Sequence, residues 1–122
     1  MIFVIGPLFS GKQDYIMQAL GWSETDFLEK AVRDVQNLAA EAAETVGASH
    51  SSLDALQEKL RSLADRLSQK EVVIATETGC GVIPLDPRER RNREAAGRLS
   101  CLLAERAETV VRICCGIPQV LK

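Results

Sequence analysis

Directly after the apolar run of residues 2–5, the stretch Gly6-Pro7-Leu8-Phe9-Ser10-Gly11-Lys12 constrains this chain more than any other feature. Two glycines separated by four residues and followed by lysine have the spacing of a phosphate-binding loop. The glycines permit a backbone path closed to bulkier residues, and Lys12 would reach the β- and γ-phosphates of a nucleotide. In such a loop successive backbone N–H groups and the start of the following helix face one concavity, which suits an anion. Gly6, Pro7, Leu8, Phe9, Ser10, Gly11, Lys12 and Gln13 are therefore the candidate nucleotide-binding residues. The last position departs from the pattern. Gln13 stands where a Ser or Thr hydroxyl would hold magnesium, and its amide oxygen on a longer stem is a poorer metal ligand. Phosphate binding survives that change more easily than phosphoryl transfer does. The plainer alternative is a glycine-rich turn with a solvated lysine.

The flanking elements supply the context that the loop needs. Residues 2–5 read as a strand buried on both faces, and KQDYIMQAL after Gly11 reads as a helix closed by Gly21. Ser23 with Asp26 three residues on predicts a helix start, after which two readings stand for residues 23–46. The apolar positions Leu28, Val32, Val35, Ala39, Ala42 and Val46 have helical spacing throughout. Alternatively, residues 31–34 form a short strand that ends in Asp34. Leu53, Leu56, Leu60, Leu63 and Leu67 form one stripe of a further helix, residues 72–76 a second strand, and Asp86-Pro87 the cap and first residue of a helix reaching about Ala107. TVVRICC is a third strand and GIPQVLK a tail. Strands separated by helices imply right-handed crossovers and a small parallel sheet of three or four strands in a three-layer α/β fold. Ligands of such sheets bind beyond the carboxyl ends of the strands, here the loops at residues 6–12, 77–86 and 116–122.

Composition narrows the function classes. At 122 residues, 46% of them apolar and 26% charged, the chain is expected to form one globular domain over residues 1–122. A net charge of −2 offers no basic field for nucleic acid. No apolar run approaches the ~20 residues of a membrane span, and no basic segment with an apolar stretch and cleavage site opens the chain, so a cytoplasmic location is expected. Cys80, Cys101, Cys114 and Cys115 show no zinc-type spacing, and the adjacent Cys114 and Cys115 on a strand would point to opposite faces. His50 reads as a surface histidine.

Other residues carry candidate chemistry. Glu77, after the second strand in TETGCGVIP, is a candidate metal ligand, with backbone capping as its structural alternative. Asp34 is a second candidate ligand if the short-strand reading holds. Arg88, Arg90, Arg91 and Arg93 surround the start of the helix after Asp86, where guanidinium groups could bind phosphate or form a solvated face balanced by Glu89 and Glu94.

VVIATETGCGVIP, RNREAAGRL and AETVVRICCGIPQVLK together resemble the adenosylcobinamide kinase/adenosylcobinamide-phosphate guanylyltransferase family of cobalamin biosynthesis. The matching positions are Glu77, Gly79, Gly81, Pro84, Arg91, Arg93, Glu94, Gly97, Gly116, Pro118 and Lys122. With the loop, the resemblance covers residues 2–22 and 72–122. It implies a P-loop nucleotide-binding fold, ATP or GTP as substrate, Mg2+ as cofactor, a corrinoid (adenosylcobinamide) as acceptor, and homo-oligomers. It further implies Lys12, Glu77, Arg91 and Arg93 as catalytic residues and Asp34 and Glu77 as metal ligands, and it favours the short strand ending at Asp34. The family's guanylylated histidine has no counterpart, since His50 is followed by Ser51 and Ser52. Thr76 replaces an Asn, Ser100 and Cys101 an Asn-Gln pair, and Gln13 a Ser. The resemblance thus implies a kinase, or else a catalytically inactive nucleotide-binding or interaction subunit.

Overall fold

The computed structural model describes residues 1–47, 52–78 and 82–122. The central strand is β1 (Ile2–Gly6), flanked by β3 (Val72–Thr76) and β4 (Thr109–Cys114), both parallel to it. A two-residue strand β2 (Ala31–Val32) pairs parallel with β3, and β5 (Ile117–Val120) pairs antiparallel with β4, giving the order β2-β3-β1-β4-β5. Successive residues of β1 project to opposite faces, so an uninterrupted apolar run packs both sides at once. Val4, Ile74, Val111 and Ile113 meet Ile16 of α1 (Lys12–Leu20) and Phe27 of α2 (Glu24–Lys30) on one face. Phe3, Val73, Ala75 and Val110 meet α3 (Val35–Val46), α4 (Ser52–Leu67) and α5 (Pro87–Arg106) on the other. The three-layer α/β arrangement follows, with four parallel strands and a fifth running against them.

Residues 23–46 are not one helix. Ser23 caps α2 through a reciprocal capping box with Asp26, and the chain then turns extended at Ala31 and pairs with Val72 and Val73 of β3. Asp34 takes the left-handed conformation (φ 57°) from which α3 starts. The reason is topological: Phe27 is buried on one face of the sheet, Val35 and Ala39 on the other. The chain has to pass round the sheet edge between them, which a straight helix cannot do, and edge pairing with β3 satisfies backbone groups that a helix would otherwise satisfy.

The segment read as a tail is also ordered. Cys115 and Gly116 both have positive φ (53° and 74°), the signature of a two-residue type I′ turn, and it returns the chain as β5. Pro118 fits there because β5 is an edge strand. Only the turn remains at the carboxyl end of the sheet. Lys122 lies at the opposite end, where its Nζ donates to the carbonyls of Ala104 and Glu105 at the end of α5. The expectation that residues 116–122 form a ligand-facing loop is therefore corrected to the turn alone. The same turn corrects the cysteine reading: Cys114 ends the strand, Cys115 sits in the turn, and both are exposed. His50, Gly79, Cys80 and Gly81 lie outside the described residues. Among the described residues no helix is long and apolar enough to cross a membrane.

Four leucines of the α4 stripe are buried, Leu60 completely, whereas Leu53 is half exposed. Leu60→Ala should destabilise the fold by about 3 kcal/mol through lost transfer energy and a residual cavity. Leu53→Ala should change stability by less than about 0.5 kcal/mol. Urea unfolding followed by circular dichroism compares the two.

Candidate nucleotide site

The loop after β1 is held by close backbone contacts. A Cβ on Gly6 would lie 2.3 Å from the carbonyl oxygen of Ile113 on β4, so any larger residue would force the strands apart. Gly11 has φ 89°, and a Cβ there would meet Gly116 Cα at 3.5 Å. The Gly116 N–H donates to the Ser10 carbonyl (2.8 Å), so the β4–β5 turn buttresses the loop from one side. Glu77 N–H donates to the Gly6 carbonyl (2.9 Å) from the other. At the tip, Phe9 has φ 57° and is almost fully exposed.

Lys12, the first residue of α1, folds back under the loop and is buried with Ser10. Its Nζ donates to the carbonyls of Pro7 (2.6 Å) and Gly6 (3.2 Å), with Ser10 Oγ at 3.5 Å. Burial lowers its pKa below the usual lysine value by desolvating the ammonium, while the carboxylates of Asp34 and Glu77 oppose that shift. Above the loop lies an open cavity of about 520 Å³ lined by residues 8–14 together with Arg33, Asp34 and Thr76. Six of the eight predicted nucleotide-binding residues, Leu8 to Gln13, thus line the cavity, and the other two, Gly6 and Pro7, accept from Lys12 through their carbonyls.

The carboxylates expected to hold metal differ in surroundings. Asp34 is exposed at the cavity rim, its closest cation being Arg33 Nε at 3.9 Å from Oδ2. Magnesium is commonly held by one or two carboxylates together with phosphate oxygens, and Asp34 fits that role. Glu77 fits it poorly. Its Oε1 accepts from Arg112 Nε at 2.6 Å and its Oε2 from Nη2 at 3.1 Å, a bidentate pair beneath the loop. The Gln13 oxygen faces a guanidinium as well, accepting from Arg33 Nη1 at 3.0 Å.

Glu77 and Arg93 meet at a second cavity of about 380 Å³ between α3 and α5, with Gln36 and Asn92. Gln36 Oε1 accepts from the Thr76 N–H (2.9 Å), and Arg93 Nη1 donates to the Val82 carbonyl (2.9 Å). The end of β3 thus separates the two spaces, with Thr76 lining the loop cavity and Glu77 the second one. Arg91 is half-buried on α5 and lines neither of these cavities, so the structure does not bring it together with Lys12. Arg33, Gln36 and Arg112 were not singled out from the sequence. For Arg112 a signal existed, a lone charge inside the apolar strand VVRIC.

Residues 15–121 match the family described as cobinamide kinase / cobinamide phosphate guanyltransferase. The chain belongs to this family. The matched residues begin after Lys12, so the phosphate-loop assignment rests on the spacing and geometry above. A 70-residue stretch is 37% identical to the bifunctional adenosylcobalamin biosynthesis protein CobP of Pseudomonas aeruginosa, covering 57% of this chain and 40% of that protein. The family membership accords with the resemblance carried by the residues around Glu77, Arg93 and Gly116.

Arg112→Ala should cost on the order of 1–2 kcal/mol, because it removes two charge-assisted hydrogen bonds from a carboxylate that is largely buried. Urea unfolding of the variant beside the wild type measures the loss; an unchanged midpoint would show that the pair does not hold the loop's floor.

Proposed function

We propose that this chain binds ATP or GTP on the loop of residues 6–13 and transfers the γ-phosphoryl group to the aminopropanol hydroxyl of a corrinoid such as adenosylcobinamide. The observation that carries this reading is the buried Lys12 ammonium beneath an open cavity at the carboxyl end of β1, with a second cavity across the end of β3. In phosphoryl transfer the protein mainly positions groups and stabilises charge. Lys12 would meet the β- and γ-phosphate oxygens, in place of its long contact to Ser10. Asp34 would hold magnesium together with those oxygens, and the ion would neutralise charge on the transferring group. Glu77, fixed by Arg112, and Arg93 line the space assigned to the acceptor, with Glu77 placed to orient the hydroxyl and Arg93 to meet negative charge. The guanylyl step is not part of the proposal, since the chain's single histidine, His50, lacks the arginine-rich context of the family's guanylylated residue.

A second reading is favoured by Gln13. A loop without the metal-binding hydroxyl suits a subunit that binds nucleotide without turning it over. Product analysis with cobinamide and ATP or GTP separates the two, because phosphocobinamide forms only under the first.

ATP or GTP at a hundredfold excess over Kd should stabilise the wild type by about 2.7 kcal/mol. Lys12→Ala should abolish the resulting rise in thermal midpoint, and no rise in the wild type with either nucleotide would refute both readings. The lysine also sets a pH dependence. Its pKa is lowered in the unliganded protein, and a bound phosphate favours the ammonium, so binding takes up a proton wherever free Lys12 is partly neutral. Affinity should therefore fall as pH rises through that lowered pKa. Calorimetry in two buffers of different ionisation enthalpy should detect an uptake that grows as pH rises toward that lowered pKa and is absent in Lys12→Ala.

A further inference from the structure

The residue that breaks the loop's pattern has a specific partner. Gln13 Oε1 accepts a hydrogen bond from Arg33 Nη1 at 3.0 Å, linking the first turn of α1 to the end of β2, 20 residues away. Both residues line the loop cavity beside Lys12. A serine or threonine hydroxyl at position 13 is too short to reach as an amide does. The arginine side chain is 61% exposed, so the contact adds little to fold stability, and its consequence is where it holds the guanidinium. A guanidinium carries five N–H donors in a planar fork. The Gln13 bond uses Nη1, and Nε stands 3.9 Å from Asp34 Oδ2, beyond hydrogen-bond distance. Donors therefore remain for an oxyanion in the cavity, in the fork geometry that suits a phosphate.

We propose that Arg33, oriented by Gln13, is a second cationic phosphate contact of this cavity and binds the terminal phosphate of a nucleoside triphosphate. The proposal rests on the nucleotide reading of the loop. It gives Gln13 a role other than that of a missing ligand: the position that ordinarily helps seat a divalent cation instead seats a fixed organic one. Asp34 keeps its place for magnesium beside it. Two consequences follow from charge and reach. The triphosphate should be preferred to the diphosphate because of Arg33, and part of the binding should persist without metal.

The test is equilibrium binding by calorimetry of ATP and GTP, each against its diphosphate, with magnesium and with EDTA, on the wild type, Lys12→Ala, Arg33→Ala, Arg33→Lys and Gln13→Ser. Circular dichroism verifies that each variant folds, which the exposure of Arg33 favours. Expected is wild-type triphosphate binding in EDTA within about tenfold of the magnesium value, as a single charge-assisted phosphate contact replaces one ion. Arg33→Ala should weaken triphosphate binding about tenfold in EDTA and erase most of the preference over the diphosphate, with Arg33→Lys restoring it only partly. Gln13→Ser should lose affinity in EDTA and retain it in magnesium. If Arg33→Ala keeps the wild-type preference and affinity while Lys12→Ala loses binding, the role of Arg33 is overturned and the loop reading stands. If the wild type binds none of these nucleotides, both are overturned.

Discussion

The contact between Gly6 and the carbonyl of Ile113 is the constraint on which the rest of this architecture depends. With a side chain at position 6, β1 could not run so close to β4 at its carboxyl end, and the loop that follows would start from a different place. Because that approach is allowed, the Gly6 carbonyl is left to accept from Glu77 on one side and Lys12 on the other. The β4–β5 turn reaches Ser10 for the same reason. One missing Cβ thus ties three loops together at the carboxyl end of the sheet, as glycine commonly does where backbones converge.

Around this junction, charge is distributed in pairs. Lys12 is buried against carbonyl oxygens, Glu77 is held by Arg112, and Arg33 is held by Gln13 beside Asp34. An ammonium in this position is costly to desolvate, which is why its pKa falls, and a polyphosphate would supply the negative charge that the loop lacks. The two cavities lie on either side of the end of β3, where alternate side-chain directions send Thr76 and Glu77 to different spaces. Under the proposed phosphoryl transfer, the loop cavity would take the donor and the second cavity the acceptor, so that the reacting groups approach from two sides of one strand end.

The elements with strong local signals were readable in the chain itself. The Ser23–Asp26 capping box, the Asp86-Pro87 helix start and the valine-rich strands formed where their residues predict, because each depends on neighbours within a few positions. Residues 28–46 misled through an apolar spacing that continues across the break at Asp34. Periodicity reports which residues are buried and is silent on which face of the sheet buries them. The short strand there was favoured by resemblance to the family, and the pairing of Ala31 and Val32 with β3 agrees. The last strand was missed because Cys115-Gly116 is a weak turn signal and Ile117–Val120 is wholly exposed, without the alternation that marks a half-buried strand.

By itself the sequence determined the phosphate-loop spacing, the order of the three main strands and the helices that follow them, and the residues of Gly6–Gln13 as a group, since these follow from local chemistry and from spacing. Only the tertiary structure decided that Glu77 faces Arg112, that Arg33 reaches Gln13, that Arg91 stands apart, and that residues 117–122 leave the site. Those outcomes depend on contacts between residues 20 or more positions apart or on the direction in which a strand returns, and no local preference encodes either.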